Sequence, residues 1–178
     1  MTTLSNEQLI NGLNERATRD GLTGLLNRTA FMELADQEIH RLHTSGSVST
    51  LILADLDHFK ALNDSHGHAA GDAAIQAFAA ACQESVRHTD LIGRYGGEEF
   101  TILLPGASLE SAGIVASEIS RRLAAAKSPE GITYPTVSYG IAPSSIAGAE
   151  VAHMIVAADK ALYEAKSLGR NRAVCATP

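Results

Sequence analysis

The 178-residue chain has the length of one domain, and its apolar content of 45% is sufficient for a hydrophobic core of its own. Its 14 Lys and Arg residues against 20 Asp and Glu give a net charge of −6, so it lacks the basic surface of a general nucleic-acid binder. No apolar run nears the roughly 18 residues that cross a bilayer, and the N-terminus has no basic region before an apolar core, so we expect a cytoplasmic protein with no nucleic-acid partner and no membrane insertion.

The first 19 residues are predicted to form a helical stalk, and residues 20–178 the domain that follows it. Leu9, Leu13 and Ala17 recur at helical spacing among polar residues. Such a narrow apolar stripe suits a helix that packs against a partner helix. A short amphipathic helix docked on its own domain explains the stripe equally well.

The rest of the chain mixes hairpin and crossover connections. Asn27 can cap a helix with apolar residues at Phe31, Leu34, Ile39 and Leu42. The further predicted elements are a buried strand at 51–54, a helix over about 69–86, strands at 91–92 and 100–104 joined by a hairpin at the glycines 96 and 97, a helix over 108–127, a strand over 136–142, and a helix over 150–168 ended by glycine 169. This order predicts an α/β sandwich, an α+β fold whose mainly antiparallel central sheet is flanked by helices.

Two pairs of acidic residues are candidates for binding metal ions. Asp55 and Asp57 end the first predicted strand, and Glu98 and Glu99 follow the glycine turn. Carboxylates brought together are costly unless cations neutralise them, so the pattern favours Mg²⁺ or Mn²⁺ with a nucleoside triphosphate. From spacing alone, Asp57 as a helix cap and the two Glu as solvated turn residues explain the pattern as well.

A helix start directly follows the first acidic pair. Free backbone N–H groups at a helix N-terminus bind phosphate, and Lys60, near the start of this helix, adds a charge that can follow the phosphate during transfer. Without this context, Lys60 would be read as a solvated surface lysine.

Four separated motifs resemble those of the GGDEF family of diguanylate cyclases. They are DGLTGLLNR at 20–28, DLDHFKALNDSHGHAAGD at 55–72, RYGGEEF at 94–100 and ALYEAKSLGRN at 161–171. The resemblance covers about residues 20–173. In one departure, Glu98 stands where the family name has Asp, and it keeps the carboxylate.

The resemblance implies a fold like the palm of nucleotidyl cyclases and a reaction that joins two GTP into cyclic di-GMP and two pyrophosphates. Each domain of the family holds one GTP, so a homodimer is the expected active species. The implied ligands of Mg²⁺ or Mn²⁺, two ions per site, are Asp55, the Leu56 carbonyl, Glu98 and Glu99. Glu98 is also the implied proton acceptor for the 3′-hydroxyl.

The same resemblance implies the substrate contacts. Lys60 stabilises the transition state, and the triphosphate is held by the Phe59 backbone, Lys166 and Arg170. Asn63 and Asp72 select guanine. A carboxylate at position 72 can accept from guanine N1–H and its amino group, whereas adenine would leave it unpaired. Helix capping is the structural alternative for both residues.

Arg87 and Asp90 stand where many family members carry an Arg-x-x-Asp site for product inhibition. An Arg can fork onto phosphate or a guanine edge, and an Asp can accept from guanine. A surface ion pair between the two side chains is the alternative interpretation.

Two other functions compete with an active diguanylate cyclase. A silent receptor would bind GTP or cyclic di-GMP without turnover, but the residues that degenerate relatives lose are all present here. A mononucleotide cyclase or polymerase-like palm is disfavoured by the guanine residues and the Gly-Gly hairpin. Because family members usually follow a sensor domain, an upstream sensor is a further expected partner.

Overall fold

The computed structural model describes residues 5, 6, 8, 17–144 and 150–177. In chain order its elements are α1 (Arg28–Thr44), β1 (Ser49–Leu56), α2 (Phe59–His66), α3 (His68–Ser85), β2 (Leu91–Arg94), β3 (Glu99–Pro105), α4 (Leu109–Ala125), β4 (Val137–Pro143), α5 (Val151–Ser167) and β5 (Ala173–Cys175). The predicted elements of the domain are confirmed in type and order, and β5 is an additional strand. The predicted stalk over residues 1–19 lies largely outside the described residues.

Within the described residues, five strands form one sheet in the order β2-β3-β1-β4-β5. β1 is antiparallel to β3 on one side and to β4 on the other, and β2 pairs antiparallel with β3. β5 runs parallel to β4, so the sheet is mixed, which corrects the prediction of a mainly antiparallel one. The reason is that α5 carries the chain back across the sheet, and a strand reached by such a crossover runs in the direction of the strand before it. The predicted fold class is confirmed.

Both faces of the sheet are covered by helices, because successive residues of a strand face opposite sides. On β1, Ile52 packs in a cluster with Phe78 of α3 and Ile119 of α4, whereas Leu53 packs on the other face with residues of α1 and α5. Every residue of β1 is buried, as expected for a central strand. Of the helices that the structure describes, none is long and apolar enough to cross a membrane.

The start of α1 is set by its predicted cap. The Asn27 side-chain oxygen accepts a hydrogen bond of 2.9 Å from the Ala30 N–H. Phe31 and Ile39 are buried in the core. Leu34, on the same predicted apolar face, is 41% exposed because it borders a surface cavity beside β2.

At Gly140 of β4, the α5 helix packs so closely on the sheet that there is no room for a side chain. A Cβ at this position would lie 1.9 Å from the Ala158 carbonyl oxygen and 2.6 Å from the Leu162 backbone nitrogen. We expect Gly140→Ala to lower the free energy of unfolding by about 2 kcal/mol, because a clash with helix backbone cannot be relieved by a rotamer change. Urea unfolding measures the difference.

A matched control is Gly113→Ala on α4. No heavy atom of the described residues beyond its own chain neighbours and helix backbone lies within 4 Å of a Cβ there. This change should raise the free energy of unfolding by roughly 0.5–1 kcal/mol, because Ala is the better helix former. Equal stability of the two variants would contradict the close packing of α5 on β4.

Candidate active site

The carboxyl end of β1 brings acidic residues of neighbouring strands together. Asp55 on β1 and Glu99 on β3 are direct register partners. Glu98 precedes β3, and its carbonyl accepts a hydrogen bond of 3.2 Å from the Leu56 N–H. The antiparallel pairing of β1 and β3 therefore places the predicted ligand residues side by side at one edge of the sheet.

These carboxylates lie in an environment that opposes their charge. Burial raises the pKa of Asp55, and the Lys166 ammonium group, which contacts its Oδ2 atom, partly offsets that rise. Burial and the neighbouring Asp55 charge raise the pKa of Glu99 as well. A bound cation would relieve both effects, because it favours the ionised form of every carboxylate around it.

The available oxygen atoms fit a magnesium or manganese ion that keeps some outside ligands. Carboxylates and a backbone carbonyl are the hard donors that Mg²⁺ prefers. Within the described residues, no group of three or more His, Cys, Asp or Glu side chains is arranged to hold a metal on its own. Mg²⁺ is usually held by one or two carboxylates together with water and substrate phosphates, so an open donor set of this kind suits it.

Asp57 is an anchor for the neighbouring strand, although the sequence placed it beside Asp55 as a second candidate acid. Its carboxylate accepts hydrogen bonds from the Thr136 and Ser138 hydroxyls, both of 2.7 Å, and from the Asn171 N–H, of 3.0 Å. It is only 4% exposed. The sequence contained one indication of this role: Thr136 and Ser138 lie two residues apart on a predicted strand, and this spacing places both hydroxyls on the same face of the sheet.

The α2 and α3 helices form a second part of the site. A Cβ at Gly71 would lie 1.9 Å from the Asn63 Oδ1 atom and 3.0 Å from the Phe59 ring, so only glycine allows α3 this close to α2. The Asn63 Oδ1 atom is buried and has no hydrogen-bond partner in the described part of the chain. Asp72 follows Gly71 and is exposed, as is Lys60 in the first turn of α2. The Asn63 amide is therefore packed between α2 and α3, in the space that the missing side chain of Gly71 leaves open.

Two basic residues from the end of α5 reach the acidic edge. Lys166 lies in the last turn of α5 and is one-third exposed. The Arg170 charge also acts to lower the pKa of Asp55, against the larger effect of burial, which raises it. Arg170 and Asn171 have positive φ angles of 65° and 50°, a left-handed turn that redirects the chain toward β5.

The glycine turn before Glu98 is held by a residue at its base. The Arg94 guanidinium donates to the Gly96 and Gly97 carbonyls over 2.8 to 3.2 Å, and its Nη1 atom lies 3.2 Å from the Asp20 carboxylate. Partial burial opposes ionisation of Asp20, but hydrogen bonds from Thr23 and the Arg94 charge hold its pKa below the usual value. The motif at residue 20 thus has a bonding role that sequence reasoning did not assign.

Arg87 and Asp90 lie apart from the acidic edge, next to a surface cavity of about 550 Å³. The two side chains form the ion pair that was the alternative interpretation, with Nη2 and Oδ1 3.1 Å apart. Arg87 also donates to the Pro105 carbonyl. Its side chain is 63% exposed, whereas that of Asp90 is 2% exposed. The inhibitory role of the pair stays a prediction.

The predicted residues therefore fall into three groups. The acidic edge holds Asp55, Leu56, Glu98, Glu99, Lys166 and Arg170; the α2–α3 region holds Phe59, Lys60, Asn63 and Asp72; and the cavity beside β2 holds Arg87 and Asp90.

Comparisons with known proteins agree with this geometry. The family model described as the GGDEF domain of diguanylate cyclases matches residues 17–172. Diguanylate cyclase DgcP of Pseudomonas aeruginosa is 39% identical over 164 residues, which are 89% of this chain and 24% of that protein. Diguanylate cyclase VdcA of Vibrio cholerae is 40% identical over 158 residues, 86% of this chain and 45% of that protein. The chain thus spans less than half the length of these curated relatives.

Solved structures give the same picture at the level of the fold. The GGDEF domain of DgcB from Caulobacter crescentus, in complex with c-di-GMP, superposes with a TM-score of 0.83 at 33% identity and covers 89% of this chain and 95% of that one. The active GGEEF domain of a diguanylate cyclase from Vibrio cholerae has a TM-score of 0.80 at 28% identity, covering 86% and 99%.

We expect Asp57→Asn to destabilise the fold by about 2–3 kcal/mol, because an amide cannot accept from three donors as a carboxylate does and leaves buried groups unpaired. Asp64→Asn on α2, where the side chain is exposed, is the control and should change stability by less than about 0.5 kcal/mol. Urea unfolding of the two variants decides, and equal midpoints would show that the three hydrogen bonds contribute nothing.

Proposed function

Because the chain belongs to the GGDEF domain family of diguanylate cyclases, we propose that it condenses two GTP molecules into cyclic di-GMP and two pyrophosphates. The observation that carries the proposal is the pairing of Asp55 with Glu99 at the end of β1, with Lys166 and Arg170 at the same edge. Carboxylates for metal ions and cations for phosphate are the two requirements of nucleotidyl transfer.

In this proposal Asp55, the Leu56 carbonyl, Glu98 and Glu99 hold two Mg²⁺ or Mn²⁺ ions. The bound ions would supply Lewis-acid stabilisation of the phosphate charge. Glu98 accepts the proton of the 3′-hydroxyl of one GTP. The hydroxyl oxygen bonds to the α-phosphorus of the other GTP, and the bond between that phosphorus and the leaving pyrophosphate breaks. Two such transfers close the ring and release two pyrophosphates.

The basic residues neutralise the triphosphate. Lys60 and the Phe59 N–H lie at the start of α2, where free backbone N–H groups attract phosphate. Lys166 contacts Asp55 in the structure, and we propose that it moves to the triphosphate when a cation takes over the charge of Asp55. Arg170 adds a guanidinium that can bind two phosphate oxygens at once.

Guanine selection is assigned to Asn63 and Asp72. Asn63 lies on α2 next to the start of α3, and the exposed carboxylate of Asp72 can accept from guanine N1–H and the 2-amino group. ATP would leave Asp72 facing the N1 acceptor of adenine, and a carboxylate that the bound base covers without pairing costs about 2–5 kcal/mol.

Two further parts of the proposal concern assembly and control. One domain holds one GTP, so two copies of the chain must face each other, and the active species is a homodimer. Arg87 and Asp90 bind the product and give feedback inhibition by holding the two domains apart. The relatives are longer than this chain, which is consistent with control by an upstream sensor.

Mass analysis of the products formed from GTP and Mg²⁺ tests the function. We expect cyclic di-GMP and pyrophosphate, with a rate per protomer that rises with protein concentration, since dimerisation is required. A linear or mononucleotide cyclic product would favour another palm enzyme. Binding of GTP without any product at micromolar protein would favour the silent receptor.

We predict that Asp55→Ala and Glu98→Ala each abolish synthesis, because each removes a carboxylate that positions the ions. The fold should survive, as judged by circular dichroism. Glu33→Ala, which removes an exposed acid on α1, is the control and should keep full activity. More than about a tenth of the parent rate in either site variant at saturating Mg²⁺ would overturn the metal assignment.

Arg87→Ala is expected to weaken inhibition by cyclic di-GMP at least tenfold, about 1.4 kcal/mol, because the side chain that forks onto phosphate or guanine is lost. The initial rate at low product should stay near that of the parent. The matched control is Arg121→Ala, since Arg121 is 65% exposed and forms an ion pair of the same spacing with Glu118. Unchanged inhibition in Arg87→Ala would contradict the inhibitory site and show that Arg87 and Asp90 form only a surface ion pair.

A further inference from the structure

Arg28 and Tyr95 form a contact that the proposed mechanism does not use. The Arg28 Nη2 atom donates a hydrogen bond of 2.8 Å to the Tyr95 hydroxyl. The guanidinium carbon also lies 4.1 Å from the centre of the Tyr95 ring. A cation over an aromatic face and a charge-assisted hydrogen bond are both favourable, and here one residue makes both with the same side chain.

The position of Arg28 is unfavourable for its own helix. It is the first residue of α1, directly after the Asn27 cap. The N-terminus of a helix carries partial positive charge, so a cation there opposes helix formation and an acid would favour it. A residue that is unfavourable for its own helix is expected only where another contact compensates for the loss. For Arg28, the contact with Tyr95 provides this compensation.

Tyr95 is the last residue with a side chain before the Gly96–Gly97 turn. The N–H groups of Tyr95 and Gly96 both donate to the Glu99 carbonyl, over 2.8 and 3.1 Å, and so close the turn that carries Glu98. Two adjacent glycines have a wide conformational range and a high entropic cost of ordering. A fixed Tyr95 ring restricts the residue from which the turn begins.

We propose that Arg28 and Tyr95 are a positioning pair, in which the Arg28 guanidinium holds the Tyr95 ring and thereby the turn that presents Glu98. This inference rests on the proposed function only in that Glu98 acts in metal binding and proton transfer. Neither Arg28 nor Tyr95 touches substrate in it. The pair acts through the backbone of the turn.

Arg28→Glu separates this role from a merely structural one. The new acid suits the helix N-terminus, so the melting temperature should stay equal or rise. Loss of the pair should nevertheless lower kcat about tenfold, raise the Mg²⁺ concentration for half-maximal rate severalfold, and leave KM for GTP within twofold. Thr29→Glu places the same acid on the next, exposed residue while keeping Arg28, and it should leave all three constants unchanged.

Tyr95→Leu and Tyr95→Phe test the pair from the other side. Tyr95→Leu should resemble Arg28→Glu in kinetics. Tyr95→Phe keeps the ring under the guanidinium and loses only the hydroxyl, so its effect should be smaller. Wild-type kinetics in both Arg28→Glu and Tyr95→Leu would overturn the proposal.

Amide hydrogen exchange supplies a readout that does not depend on activity. In Arg28→Glu, exchange at residues 95–97 should accelerate at least fivefold, while exchange in β1 and in the Thr29→Glu control stays at the parent rate. Unchanged exchange in the turn would overturn the positioning role. If the parent chain makes no cyclic di-GMP, the proposed function fails, but accelerated exchange would still establish the coupling of Arg28 to the turn.

Discussion

The pairing of a buried and a partly buried carboxylate across neighbouring strands, Asp55 on β1 and Glu99 on β3, is the constraint on which the site depends. Burial opposes the charge of both, and the charge of Asp55 makes ionisation of Glu99 still more costly. For stability alone, apolar residues would serve better at a central strand. The fully buried remainder of β1 offsets this cost, and Lys166 supplies the compensating charge that a cation can replace.

Asp55 and Asp57 show how environment divides two identical side chains between structure and function. Both are buried, and they lie two residues apart at the end of the same strand. Asp57 receives three hydrogen bonds from neutral donors, which fix it and leave little capacity for a ligand. Asp55 is contacted by the Lys166 ammonium group, a cationic and partly exposed partner that belongs to α5 and not to β4. Only the second arrangement is suited to exchange of ions.

Most of the fold and of the acidic edge could be predicted from the sequence, because strand alternation, the Asn27 cap and the glycine turn are local signals. The parallel pairing of β5 could not, since a three-residue strand has too little pattern to reveal its direction. The anchoring of Asp57 could not be predicted either, because its two hydroxyl partners lie about 80 residues away in the chain and Asn171 lies 114 residues away. The packing of Gly71 on Asn63 is likewise a tertiary contact, whereas a sequence pattern shows only that both residues are near helix ends.

The backbone of the site must pack closely and yet stay fixed. The structure combines glycines with a restraining side chain at two places. Gly71 allows α3 to approach α2, and Gly96 and Gly97 form the turn before Glu98, but glycines also make these segments easy to distort. In each case a polar or cationic side chain from elsewhere lies against the glycine: Arg94 bonds the turn, and Asn63 packs on Gly71. The turn is further connected, through Asp20 and Arg28, to the segment that precedes the sheet. The turn that carries Glu98 is therefore bonded to residues outside the sheet as well as to Arg94 of β2, and these bonds connect the acidic edge to the segment through which the chain enters the domain.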